Sequence, residues 1–124
     1  MKKPDNVVFI PGDMDSFFRS WFEFLKPFHH LTDRECDVAA AFVKLRWELS
    51  RDITDPDLLD RVVMTNESKQ IVRERCGITI QHFQVVMSKL KKHKVTLDGK
   101  LNPKFIPNIQ KDADSFKLLL YFKL

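Results

Sequence analysis

Hydrogen-bonding and cationic side chains crowd into one stretch of this chain, from residue 79 to residue 104. Thr79, Gln81, His82, Gln84, Val85 and Ser88 come first, and Lys89, Lys91, Lys92, Lys100 and Lys104 follow. A glutamine amide carries a donor and an acceptor side by side, which suits the edge of an adenine, and valine methyls suit the methyl of a thymine. Hydroxyls and ammonium groups suit phosphate oxygens. Residues 81–104 contain six lysines against one acid, Asp98, a net of +5 in a chain whose total is +4. The positive charge is therefore local, as a phosphate-binding surface requires. A lysine-rich helix end gives the same count for another reason, because the helix dipole favours cations there. Each glutamine likewise either reads a base or only solvates an exposed face.

Other chemistries find little footing. There is no Gly-rich phosphate loop, and no Ser/His/Asp or Cys/His grouping with a recognisable turn. Asp33, Glu35 and Asp37, like Asp57 and Asp60, are explained as acids near helix starts. His29 and His30 are adjacent, so a helix would aim them to different sides and one metal ion would fit them poorly. They read as linker or surface residues. Cys36 and Cys76 lie outside any CxxC or Cys/His spacing, and their apolar helical positions predict buried free thiols. No catalytic residue, metal or cofactor is expected.

The elements that must hold the 79–104 stretch are written in local signals. Gly77 permits the left-handed turn that ends a helix, Ile78 plugs the gap beneath it, and Thr79 caps the next helix. That pattern predicts helices over about 66–76 and 79–93, the second with Phe83, Val86, Met87 and Leu90 inward. Arg73 departs from it, since a small residue usually stands four before the turn glycine. Residues 94–97 read as a strand, Asp98-Gly99 as a two-residue hairpin turn, and 100–106 as the return strand, interrupted at Asn102-Pro103. Upstream, Asp55 and Pro56 start a short helix at about 56–63. Thr32 and Glu35 form a capping box for a helix reaching about Arg51, with Val38, Ala39, Phe42, Leu45 and Leu49 buried and Lys44, Arg46 and Glu48 facing water.

The first thirty residues form an aromatic extension. Residues 6–11 read as a short strand, and about 15–28 as a helix ended or bent at Pro27. Its apolar face, with Phe17, Phe18, Trp21, Phe22, Phe24 and Phe28, is wider than one neighbour covers. Core packing explains it first. A homodimer interface through Phe18, Trp21 and Phe22 is the alternative. Residues 115–124 read as a strand that pairs with 6–10 or joins the hairpin, because left bare it would invite aggregation. With 124 residues, 44% of them hydrophobic and 31% charged, the chain suits one compact unit with a real core. Within it, 1–30 is the N-terminal strand and aromatic helix, and 31–124 is the main domain. No run reaches the ~18 apolar residues of a membrane span. The four apolar residues from Val7 to Ile10 are too few for a secretory signal, so the expected place is the cytoplasm.

Residues 66–107 resemble the winged helix-turn-helix superfamily, in regulators of the MarR sort and in plasmid replication initiators. The stretch from Met87 to Val95 with Leu101-Asn102-Pro103 is similar to the recognition-helix-to-wing segment of small replication initiators. Phe17-Phe18-Arg19-Ser20-Trp21, Pro27–Thr32 and the Phe-Lys-Leu-Leu-Leu-Tyr-Phe end also look like small proteins of tailed phages infecting gut Bacteroides, which would make the compartment the host cytoplasm. The resemblance implies a mainly α fold with a small β-sheet or wing. It also implies double-stranded DNA as the partner, in transcription regulation, with the second helix in the major groove and the hairpin on the backbone. A winged helix that binds protein, or a replication initiator or accessory factor, is the rival. DNA binding predicts that the lysines of 89–104 share one exposed face with Gln81 and Gln84, and protein binding predicts an uncovered aromatic patch near Trp21 and Phe22.

Overall fold

A computed structural model describes residues 10, 12–110 and 114–124. Within them the chain is mainly helical, with one small antiparallel hairpin. Asp13 and Ser16 form a capping box that starts α1, Met14–Phe24. The chain breaks at Leu25 and resumes as the single turn α2, Lys26–His29, with Pro27 in its first turn, where a missing N–H costs nothing. His30 leaves in the left-handed conformation. The capping box of Thr32 and Glu35 forms with both of its hydrogen bonds and opens α3, Asp33–Leu49. Next come α4, Pro56–Val63, capped by Asp55, and α5, Asn66–Cys76, capped by Thr65. Then follow α6, Ile80–Lys92, and the strands β1, Thr96–Leu97, and β2, Lys100–Leu101. Thr96 pairs with Leu101 and Leu97 with Lys100.

α3 is the hub, in contact with α1, α4, α5 and α6. It can serve four neighbours because Cys36, Val38, Ala39, Ala40, Phe42, Val43 and Leu45 bury most of its circumference. Its polar residues do not simply face water as expected. Lys44 pairs with Asp15 of α1 at 3.1 Å, Arg46 with Asp60 of α4 at 3.0 Å and Glu48 with Arg75 of α5 at 2.8 Å. Arg19 and Lys26 tie α1 and α2 to the start of α3 through Asp33 and Asp37. Lys26 holds the Asp33 carboxyl below the ordinary carboxylate range, and Arg19 with Lys26 does the same to Glu23.

Three expectations are corrected. Phe18, Trp21 and Phe22 are buried within the single chain, Phe22 completely. They are covered by α3, by Trp47 and by Phe116, with Trp21 Nε1 donating to the Phe105 carbonyl at 2.9 Å. Those three side chains therefore offer nothing to a second copy. His29 is buried, not a surface residue. Its Nε2–H donates to the Phe22 carbonyl at 2.7 Å, and its Nδ1 accepts from the Leu31 N–H at 2.9 Å. Residues 115–124 form no strand and no other regular secondary structure. The strand expected over 6–11 falls largely outside the described residues, and Ile10 itself is exposed and irregular. Among the described residues no helix is long and apolar enough to cross a membrane.

Candidate nucleic-acid interface

The turn between α5 and α6 fixes the direction of α6. Gly77 takes φ +61°, its N–H donates to the Glu74 carbonyl at 3.1 Å, and the Ile78 N–H donates to the Arg73 carbonyl at 3.4 Å. This double bond pattern is a Schellman closure, which satisfies the last carbonyls of α5. Ile78 is buried under the turn. Thr79 Oγ1 accepts from the His82 N–H at 3.1 Å and caps α6. Arg73 is accommodated without a tight crossing. Its guanidinium reaches around the turn and donates to the Ile78 carbonyl at 3.2 Å, so it staples the turn that a small residue would otherwise pack against.

α6 is clearly two-faced. Phe83, Val86 and Leu90 are buried, Phe83 against Phe42 of α3, and Met87 is half-buried. Thr79, Gln81, His82, Gln84, Val85, Ser88, Lys91 and Lys92 are exposed, and Lys89 is half-buried at the margin. Ser88 is partly occupied, since its hydroxyl donates to the Gln84 carbonyl at 3.2 Å. Ile80 is also exposed beside Gln81 and Gln84, an apolar member of the face that the sequence reading did not single out.

The hairpin is tied to the end of α6 by Asn102. Its Nδ2 donates to the Lys94 carbonyl at 2.8 Å, its N–H donates to the Val95 carbonyl at 2.8 Å, and its Oδ1 accepts from the Lys104 N–H at 3.1 Å. Asn102 thus holds both hairpin legs at their root. The sequence reading saw only an interruption there, although Asn before Pro carries the signature of an Asx turn. Asp98 and Gly99 both adopt positive φ, +55° and +74°, as the tight turn needs. The strands are shorter than expected. The return strand stops at Leu101, because Pro103 begins a 3-10 turn, Pro103–Phe105, and Phe105 turns inward. Lys100 and Lys104 are exposed, and so is Lys94.

Charge density sets this region apart, with six lysines within residues 89–104. Among the described residues, ion pairs engage Arg19, Lys26, Arg34, Lys44, Arg46 and Arg75. None engages Lys89, Lys91, Lys92, Lys94, Lys100 or Lys104, nor Arg51, Arg61, Lys69, Arg73, Lys117 or Lys123, which are spread over the rest of the described residues. A surface cleft of about 310 Å³ between α1, α3 and α5 has the opposite character. Its lining cations Arg19, Arg34, Lys44 and Arg75 all have carboxylate partners. Both cysteines are free. Burial pushes the Cys36 thiol up to about 11 and raises that of half-buried Cys76. No group of three or more His, Cys, Asp or Glu among the described residues could hold a metal ion. Comparison with protein-family models, with curated proteins and with solved structures finds no match for this chain.

Proposed function

We propose that this protein binds double-stranded DNA, with α6 in the major groove and the β1–β2 hairpin against the flanking backbone, as a transcriptional regulator of winged helix-turn-helix type. One observation carries the reading. Six lysines without carboxylate partners crowd into residues 89–104 beside an exposed row of base-reading side chains, while the six other unpaired cations among the described residues, Arg51, Arg61, Lys69, Arg73, Lys117 and Lys123, are scattered. Unpaired cations are free to release counterions from phosphates, which drives association. Thr79, Gln81 and His82 stand at the N-terminal end of α6, the end that approaches bases in this geometry. Gln84 and Val85 follow one turn later. Lys89, Lys91, Lys92, Lys94, Lys100 and Lys104 hold phosphates. With so few base contacts, a single copy discriminates sequences modestly.

The test is fluorescence anisotropy with random duplex DNA at low and moderate salt, beside Lys91→Glu/Lys92→Glu. Six phosphate contacts give a slope of log affinity on log salt of about −5, and the double variant lowers its magnitude by about 2. Both lysines are exposed, so circular dichroism should be unchanged. Absence of binding at low salt refutes the proposal. The rival role in protein contact, including that of a replication accessory factor, draws support from apolar residues 118–122 and from the exposed rings of Phe24 and Phe28, not from Phe18, Trp21 and Phe22, which are buried.

A further inference from the structure

Segment 115–124 is the largest run of exposed apolar side chains among the described residues. It makes no regular structure, and its exposure alternates from 116 to 121. Phe116 is half-buried, and Leu118 and Leu120 are 44% and 46% exposed, whereas Leu119 and Tyr121 are 85% and 87% exposed. From 116 to 121 even positions therefore turn toward the body and odd positions away, the period of a β-strand, whereas Phe122, 80% exposed, and Leu124 stand clear of the body in the single chain. Phe116 anchors the segment, with its ring 5.3 Å from Phe17 and 5.4 Å from Trp21 of α1, both edge-to-face.

We propose that segment 115–124 pairs antiparallel with the same segment of a second copy, so that the protein forms a two-fold dimer through a β-ribbon lying on both α1 helices. The register follows from the side chains. Placing Leu119 opposite Leu119 sets Leu118 against Leu120, Phe116 against Phe122, Lys117 against Tyr121 and Ser115 against Lys123. Over the paired residues 115–123, one face of the ribbon then carries only Phe116, Leu118, Leu120 and Phe122 from each copy. The other carries both lysines, each beside a neutral residue, and Lys117 has an aromatic ring to lie on. Moving the centre to Leu120 would put Lys117 directly opposite Lys123 twice, a destabilising like-charge arrangement. Moving it by half a step would bring lysines onto the apolar face. Centring on Leu118 or Tyr121 also keeps the lysines apart but pairs only seven residues of the segment, against nine about Leu119, so the Leu119 register is the fullest self-complement, as an isologous interface requires. A bare two-stranded ribbon is marginal in water, and here the Phe116 seat on Phe17 and Trp21 supplies the helix cover. This inference does not depend on DNA binding.

Sedimentation velocity of the full chain across a concentration series reads the association, with cysteine cross-linking for the register. A reversible dimer is expected, and Leu119→Lys should weaken it on the order of ten-fold with an unchanged circular dichroism spectrum, since Leu119 is mostly exposed in the single chain. Under mild oxidation Leu119→Cys should cross-link to itself. Tyr121→Cys should not, because its two copies stand about 13 Å apart along the ribbon, but it should cross-link to Lys117→Cys when the two are mixed. The parent, with Cys36 and Cys76 alone, is the blank. A protein that stays monomeric throughout, a dimer indifferent to Leu119→Lys, or self-linking at position 121 as efficient as at 119 each overturns the proposal.

Discussion

At the scale of single residues, His29 shows how a side chain read as linker becomes structural. Its neutral ring with the proton on Nε2 satisfies the Phe22 carbonyl and the Leu31 N–H at once. Burial holds its pKa below 6.5, with the charges of His30, Lys26 and His93 acting in the same direction and the bond to Phe22 opposing them. The native state thus refuses a proton that the unfolded chain accepts. The stabilisation is fully present above about pH 6.5 and is lost as pH falls from there toward the native pKa. Denaturant melts at successive pH values should show the unfolding free energy declining on the acid side of 6.5. His29→Leu should flatten that decline. It should also cost about 1–3 kcal/mol at pH 8, because the Phe22 carbonyl and Leu31 N–H are left buried without partners.

At the scale of elements, the α5–α6 turn rests on one backbone conformation. A Cβ on Gly77 would meet nothing within 4 Å, so Gly77→Ala isolates the cost of φ +61° for an L-residue. That cost is about 1–2 kcal/mol, readable as a lower urea midpoint with an unchanged slope. Gly77→Asn should lose less, because asparagine tolerates this region. The turn was legible in the sequence because its determinants are adjacent residues, and so were the starts of α3 and α4 at Thr32 and Asp55-Pro56. The hairpin turn was legible at Asp98-Gly99 for the same reason. What escaped depended on contacts distant in sequence. The cover over Phe18, Trp21 and Phe22 comes partly from α3 and Phe116, and the hydrogen bonds that make Asn102 a clamp reach back to Lys94 and Val95. Residues 115–124 have the composition of a strand, but pairing needs a neighbour, and composition does not supply one.

At the scale of the whole molecule, α3 is the spine against which both the aromatic α1 and the basic α6 are set. Phe42 is fully buried and meets Phe83 of α6 with ring centres 6.2 Å apart. Phe42→Ala should cost about 3–5 kcal/mol, a large share of the ~5–15 kcal/mol that holds a domain of this kind together. Calorimetry should show a single transition moved to lower temperature, because α1 and α6 lean on the same helix. The bond from Trp21 to the Phe105 carbonyl joins the two ends of this arrangement, since Phe105 lies four residues beyond β2. It also gives the chain a native optical reporter. The sequence holds two indoles, and the second, Trp47, lies under the Arg51 guanidinium at 4.2 Å, remote from the hairpin in sequence. A change in Trp21 emission would therefore register strain where the chain leaves the hairpin without any label, and Trp47→Phe would isolate that signal, since Trp47 shares a pocket with Ile106 and Pro107 beside Phe105.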